Sequence, residues 1–172
     1  MKVYPEEEVR AAWNHVLGTR AKIARGEAGW ADIAAHFTED AVYIDPAWGR
    51  IDGREKIREF FEASMAGLTG YGWSTPEHWV MVDGPRVVAQ WDQILGERPD
   101  GTPYFVAGLS ILYYTGNGLF CYSHDMLNMT HIGQTMKEMG WKPPAEFNMP
   151  PRKPNRDISL PKAWKHLEAK RP

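Results

Sequence analysis

Behind Pro5 and the acidic run Glu6-Glu7-Glu8, the apolar residues Val9, Trp13, Val16, Leu17, Ile23 and Ala24 recur at near-helical spacing. A proline at the first turn with carboxylates beside it suits a helix N-terminus, so the chain opens with a long amphipathic helix. After the Gly26–Gly29 break, Trp30, Ile33, Ala34 and Phe37 repeat the i, i+3, i+4, i+7 pattern over a short second helix. The period then changes to two. Ala41, Tyr43 and Asp45 share one face of a strand, Val42 and Ile44 the other, and Pro46 stops it. Asp52-Gly53-Arg54-Glu55 has the spacing of a capping box, and Ile57, Phe60, Phe61, Met65 and Leu68 follow as a third helix. Four β-type runs come next, His78–Val82, Val87–Leu95, Tyr104–Tyr114 and Leu119–Met129. The turn signals between them, at Asp83-Gly84-Pro85, Arg98–Gly101 and Thr115–Gly118, predict antiparallel hairpins. His131–Trp141 closes the series as a short helix. Helices first and consecutive strands after define an α+β class.

At 172 residues the chain has room for one hydrophobic core. The composition changes near its end: seven of the thirteen prolines fall in residues 143–172, where seven Lys and Arg stand against three acidic residues. The expected organisation is a body over 1–142 and a basic, proline-rich arm over 143–172. The arm would lie on the body or on a neighbouring subunit, with Leu160, Trp164 and Leu167 as anchors. A disordered tail is the alternative.

A net charge of −2 supplies no cationic field for phosphates, which argues against nucleic acid as a partner. The N-terminal residues lack an apolar signal core, and no run of about eighteen apolar residues could cross a bilayer. With a lone Cys121 there is no disulfide framework, so the expected setting is a reducing cytoplasm without membrane contact. The six histidines show no HExxH spacing, and neither a metal nor an organic cofactor is expected. Eight Trp, seven Tyr and six Phe supply either an aromatic core or an aromatic-lined pocket.

Three carboxylates carry the candidate chemistry. Asp45, at a strand end beside Tyr43, Pro46 and Trp48, is placed to lose hydration and become a proton acceptor near neutral pH. An ordinary Asp-Pro turn is the competing reading. Asp92 shares a strand face with Val88, Gln90 and Ile94, while Val87, Ala89, Trp91, Gln93 and Leu95 form the other. Both faces are largely apolar, so Gln90 and Asp92 are expected to point into a polar enclosure. Asp125 shares a face with Cys121, Ser123 and Leu127, and Tyr43, Gln90 and Ser110 are its candidate partners. A static structural network of the same groups is the other possibility.

The run HFTEDAVYIDPAWGRIDGREKIREFFEAS followed by four strands resembles the nuclear-transport-factor-2-like superfamily. That superfamily includes SnoaL-like polyketide cyclases, ketosteroid isomerases, limonene epoxide hydrolases and scytalone dehydratases. Over residues 5–135 the resemblance implies a cone: a curved antiparallel sheet wrapped by N-terminal helices, enclosing an apolar pocket, commonly dimerised through the sheet. By likeness to the ketosteroid isomerases, Asp45-Pro46 falls on the proton-shuttling base, while Ser110 and the neighbourhood of Thr19 replace the oxyanion pair. By likeness to limonene epoxide hydrolase, Asp92, Gln90 and Asp125 fall on the water-activating Asp, Arg and Asp, with Tyr43-Ile44-Asp45 at its Tyr-x-Asn. Without the arginine, two nearby carboxylates would share a proton.

The expectation is therefore an acid/base enzyme of lyase, isomerase or hydrolase type, acting without cofactor on a small apolar, aromatic or cyclic molecule. Tyr43, Asp45, Gln90, Asp92 and Asp125 would converge as its catalytic set, walled by Trp48, Trp91, Tyr104 and Ser110. A homodimer is the expected assembly. The alternative is a non-catalytic ligand-binding or protein-interaction module of the same fold.

Overall fold

The computed structural model describes residues 4–65, 73–145 and 147–168. Helix α1, Glu6–Ala24, buries Val9, Ala12, Trp13, Val16 and Ile23 along one stripe. The second helical segment, Trp30–His36, is a 3-10 helix rather than an α-helix. Strands β1 (Phe37–Asp45) and β2 (Gly49–Asp52) form a hairpin around Pro46-Ala47-Trp48. Helix α2 (Arg54–Ser64) is followed by β3 (Glu77–Asp83), β4 (Arg86–Glu97), β5 (Pro103–Gly116), β6 (Leu119–Leu127) and α3 (Met129–Glu138). A last 3-10 turn covers Lys162–Leu167.

Six strands make one sheet in the order β2-β1-β6-β5-β4-β3. All neighbours are antiparallel except β1 and β6, which run parallel. The long crossover through α2 and the three hairpin strands brings this one parallel pair together in an otherwise antiparallel sheet. Its concave face meets α1, the first 3-10 helix and α2 over a core that includes Trp13, Ile57, Phe61, Tyr114 and Phe120. The sheet is curved and unclosed, with the α+β cone architecture expected of the chain. The β5–β6 turn uses Asn117 and Gly118 at φ 55° and 75°, the left-handed pair that a two-residue hairpin needs.

Two local features differ from the sequence reading. β2 was not foreseen, because four residues after a proline turn carry too little alternation to register. The capping box does not form either: Asp52 ends β2 and pairs with Arg50, and Gly53, at φ 91°, caps α2 without a side-chain bond. Leu68 lies outside the described residues.

The arm runs along its own body. Gly49 bridges to Asn155, the Arg50 amide donates to the Asn155 carbonyl at 2.9 Å, and the Arg50 guanidinium donates to the Ser159 carbonyl at 2.6 Å. Gly49 has to be glycine here, since its φ is +79° and a Cβ would run into the Asn155 carbonyl. Leu160 and Leu167 are buried against Val42, Ile44 and Tyr122, and the Trp164 indole donates to Asp40 at 3.1 Å. Among the described residues no helix is long and apolar enough to cross a membrane.

Candidate active site

The concave face encloses two adjoining chambers. An inner one of about 90 Å³ is lined in part by Arg20, Tyr43, Asp45, Trp91, Gln93 and Asp125. An outer one of about 250 Å³ is mainly apolar, walled by Trp48, Trp73, Met136, Trp141 and Phe147 among others. Asp45, Phe60, Met65, Gln93 and Leu127 border both, so Asp45 stands at the junction.

Tyr43, Asp45 and Asp125 reach the cavity because residues of like parity on β1 and β6 point inward, as Ala41 and Ser123 do. The Tyr43 hydroxyl donates to Asp125 Oδ2, and Ser110 Oγ donates to Asp125 Oδ1 at 2.6 Å. Ser110 in turn accepts from Trp91 Nε1 at 2.9 Å. Three strands thus tie one carboxylate to a phenol, a hydroxyl and an indole, and both oxygens of Asp125 are engaged. Burial, with Asp125 and Asp45 nearby, pushes the Tyr43 phenol well above its ordinary pKa, which keeps it a neutral donor.

Asp45 is held differently. Its Oδ1 accepts the backbone N–H groups of Ala47 and Trp48 at 2.6 and 2.8 Å, while its Oδ2 takes no hydrogen bond from the described residues. Desolvation raises its pKa from 3.8 to about 6 despite those two bonds, and the negative charge of Asp125 adds to the rise. Arg156 of the arm, which donates to the Pro46 carbonyl at 2.7 Å, pulls weakly the other way. A cavity-lining carboxylate poised near 6, with one oxygen fixed and the other not engaged by the described residues, has the form of a general base.

Gln90 and Asp92 do not join this set. They lie on the outer face of the sheet, where Asp92 Oδ2 meets His78 Nε2 at 2.7 Å, and neither lines the chambers. Adjacent strand residues face opposite sides, so Trp91 at the pocket wall forces Asp92 outward. A shared proton between Asp92 and Asp125 is ruled out with it. Tyr104 packs with Leu95 and Val106 beyond the chambers, and the Arg98 guanidinium lies 4.2 Å over its ring. Trp48 lines the outer chamber and Trp91 the inner one, while Ser110 lines neither and bonds to Trp91 and Asp125.

Two polar groups of the inner chamber, Gln93 and Arg20, were not among the residues picked out from the sequence. Gln93 follows from the same parity as Trp91. Arg20 carries a legible signal too: it continues the buried stripe of α1 at Trp13, Val16 and Leu17, where a cation on an apolar face calls for a reason. Among the described residues no three of His, Cys, Asp or Glu gather as a metal site.

With this geometry in place the kinship is clear: residues 11–120 match the SnoaL-like domain model, more than half of the chain, and the protein belongs to that family. Solved structures share the fold at low identity. A putative SnoaL-like polyketide cyclase from Jannaschia sp. CCS1 is 17% identical with a TM-score of 0.59, covering 84% of this chain and 100% of its own. An LEH-like epoxide hydrolase from M. tuberculosis is 18% identical at a TM-score of 0.57, covering 78% of this chain and 93% of its own. TerC, co-crystallised with polyporic acid, is 15% identical at 0.57, covering 73% and 98%. No functionally curated protein is significantly similar in sequence.

Proposed function

We propose that the protein is an acid/base enzyme of lyase or isomerase type that moves a proton on a small cyclic or aromatic molecule through its own side chains. The observation that carries this reading is Asp45: a half-buried carboxyl with a pKa raised to about 6, on a residue that borders both chambers, its Oδ1 fixed by two amides and its Oδ2 without a hydrogen bond from the described residues. The apolar outer chamber would take the ring system and exclude water, so that proton transfer competes with no solvent path. Asp125, both oxygens engaged, would hold Tyr43 and Ser110 in position and supply the charge that keeps Asp45 basic. The likeness to a SnoaL-like cyclase and to TerC, co-crystallised with polyporic acid, is consistent with a small-molecule occupant. A hydrolase of the paired-carboxylate kind finds less support, because Asp92 is on the other side of the sheet.

The test is hydrogen–deuterium exchange at the α-carbon of 2-tetralone in D₂O, followed by proton NMR. The wild type is expected to accelerate exchange, with kcat/KM rising through a pH of about 6 to a plateau, because only ionised Asp45 accepts the proton. Asp45→Asn should lower the enzymatic rate by at least about 10²-fold. Exchange no faster than in buffer, or retained in Asp45→Asn, overturns the reading.

A further inference from the structure

Among the described residues, every buried polar side-chain atom without a hydrogen-bond partner belongs to a residue lining the two chambers. Arg20 Nη1 and Trp30 Nε1 belong to the inner one, and Trp48 Nε1, Trp73 Nε1, Trp141 Nε1 and Ser64 Oγ to the outer. A buried polar group left unpaired loses its bonds to water without replacement, and folded proteins keep few of them. Six around one pair of chambers, five of them N–H donors, point to an occupant that accepts hydrogen bonds.

Arg20 is the charged member of the set. Its guanidinium lies 5.4 Å from the Trp13 ring and 5.7 Å from the Trp91 ring, held by aromatic faces rather than by a carboxylate. Stacking engages the π-face of a guanidinium and leaves its in-plane N–H groups unspent. Trp91 is fixed in turn by Ser110, so the cation is oriented by the same chain of contacts that anchors Asp125. Asp45 lines the same chamber and makes no ion pair with it.

We propose that the inner chamber receives a negatively charged oxygen on Arg20 Nη1, and that the ligand is an aromatic or cyclic molecule bearing that oxygen. The charge is either present in the free ligand, as a carboxylate, or develops on the enzyme, as an enolate. In the second case Asp45 Oδ2 takes the α-proton, the electrons of the broken C–H bond form a C=C bond, and the carbonyl π-electrons move to the oxygen facing Arg20. This inference rests on the chambers being the ligand site, as in the reading above, but its binding arm needs no catalysis.

Two arms separate the sources of charge. By calorimetry, the wild type should bind 2-naphthoate about tenfold or more tighter than 2-naphthylmethanol, an aromatic ligand without the charge. Arg20→Gln should erase that preference while leaving the alcohol's affinity within about twofold, and Arg20→Lys should keep part of it. In the wild type itself, side-chain NMR of ¹⁵N-arginine should show the Arg20 Nη1 protons moving downfield with naphthoate and not with the alcohol, which decides the point even if a variant folds poorly. In the second arm, 2-tetralone exchange by Arg20→Gln should show a fall in kcat with little change in KM if the charge develops during reaction. A preference for naphthoate alone assigns a carboxylate ligand, a kcat effect alone assigns an enolate, and either supports the proposal. An unchanged preference in Arg20→Gln together with unchanged exchange overturns it. So does failure of both naphthalene probes to bind the wild type. Binding without exchange would instead overturn the enzymatic reading and leave Arg20 as a receptor.

Discussion

Asp45 accepts two backbone N–H bonds, which favour its charge, and still holds its proton to about 6. Burial outweighs the bonds, and the consequence extends to stability. The unfolded chain releases this proton near 3.8, so between 3.8 and about 6 folding takes up a proton and stability falls as the pH rises. Above about 6 the loss is complete. Asp45→Asn should therefore flatten the pH dependence of urea unfolding across that window and make the protein about 1–3 kcal/mol more stable at pH 8. Equal slopes in the two proteins would contradict the assignment. At this scale the sequence was informative where one residue's neighbours decided its fate: an acid at a strand end followed by proline and tryptophan pointed to a turn, seen in its bonds to Ala47 and Trp48, and to a dehydrated carboxyl, without choosing between them. It was not informative for Gln90 and Asp92, because two apolar faces offered no way to tell inside from outside. Only the packing of Trp91 against Gly108 and Ser110 settled that parity.

At the scale of elements, the close fit between β4 and β5 gives the inner chamber its shape. Gly108 stands directly opposite Trp91, and a Cβ there would come within 2.7 Å of the indole ring. Gly108→Ala should push Trp91 off its 2.9 Å bond to Ser110, lowering stability by about 1–3 kcal/mol as overpacking does. Thermal unfolding measures the cost, and weaker binding of 2-naphthylmethanol would report the displaced wall. An unshifted Tm would mean the strands slide apart without penalty. The hairpins of β3 to β6 were legible because glycine, asparagine and proline mark their turns at fixed offsets. The parallel contact of β1 with β6 was not, since it joins residues 82 apart in sequence, as in the Tyr43–Asp125 bond, and no local signal encodes such a pairing.

At the scale of the whole molecule, the outer face of the sheet leaves large apolar side chains in the open. Trp79, Met81, Phe105 and Met126 are 43, 65, 43 and 40% exposed, more than a solitary sheet face ordinarily shows. We propose that a second copy of the chain covers this face, as the sequence resemblance implies. Light scattering after size-exclusion chromatography should give twice the 19.6 kDa chain mass, and Phe105→Asp should shift it toward the monomer. A wild-type monomer at micromolar concentration would overturn the assembly. Such a dimer leaves the chambers, on the opposite face, free to act independently in each copy.

The outer chamber has one further property. Its wall is part body and part arm: Trp48 after β1 meets Phe147 at a ring separation of 5.9 Å, and Phe147 meets Trp141 at 5.5 Å. The family match ends at residue 120, before both Trp141 of the body and Phe147 of the arm. An occupant of the chamber touches both halves, so the free energy of binding and that of docking the arm are thermodynamically linked. Whatever fills the chamber must also fasten the arm, and whatever loosens the arm must weaken the grip on the ligand. Affinity could then be retuned over evolutionary time by edits to a terminal segment, with the sheet and its carboxylates left unchanged.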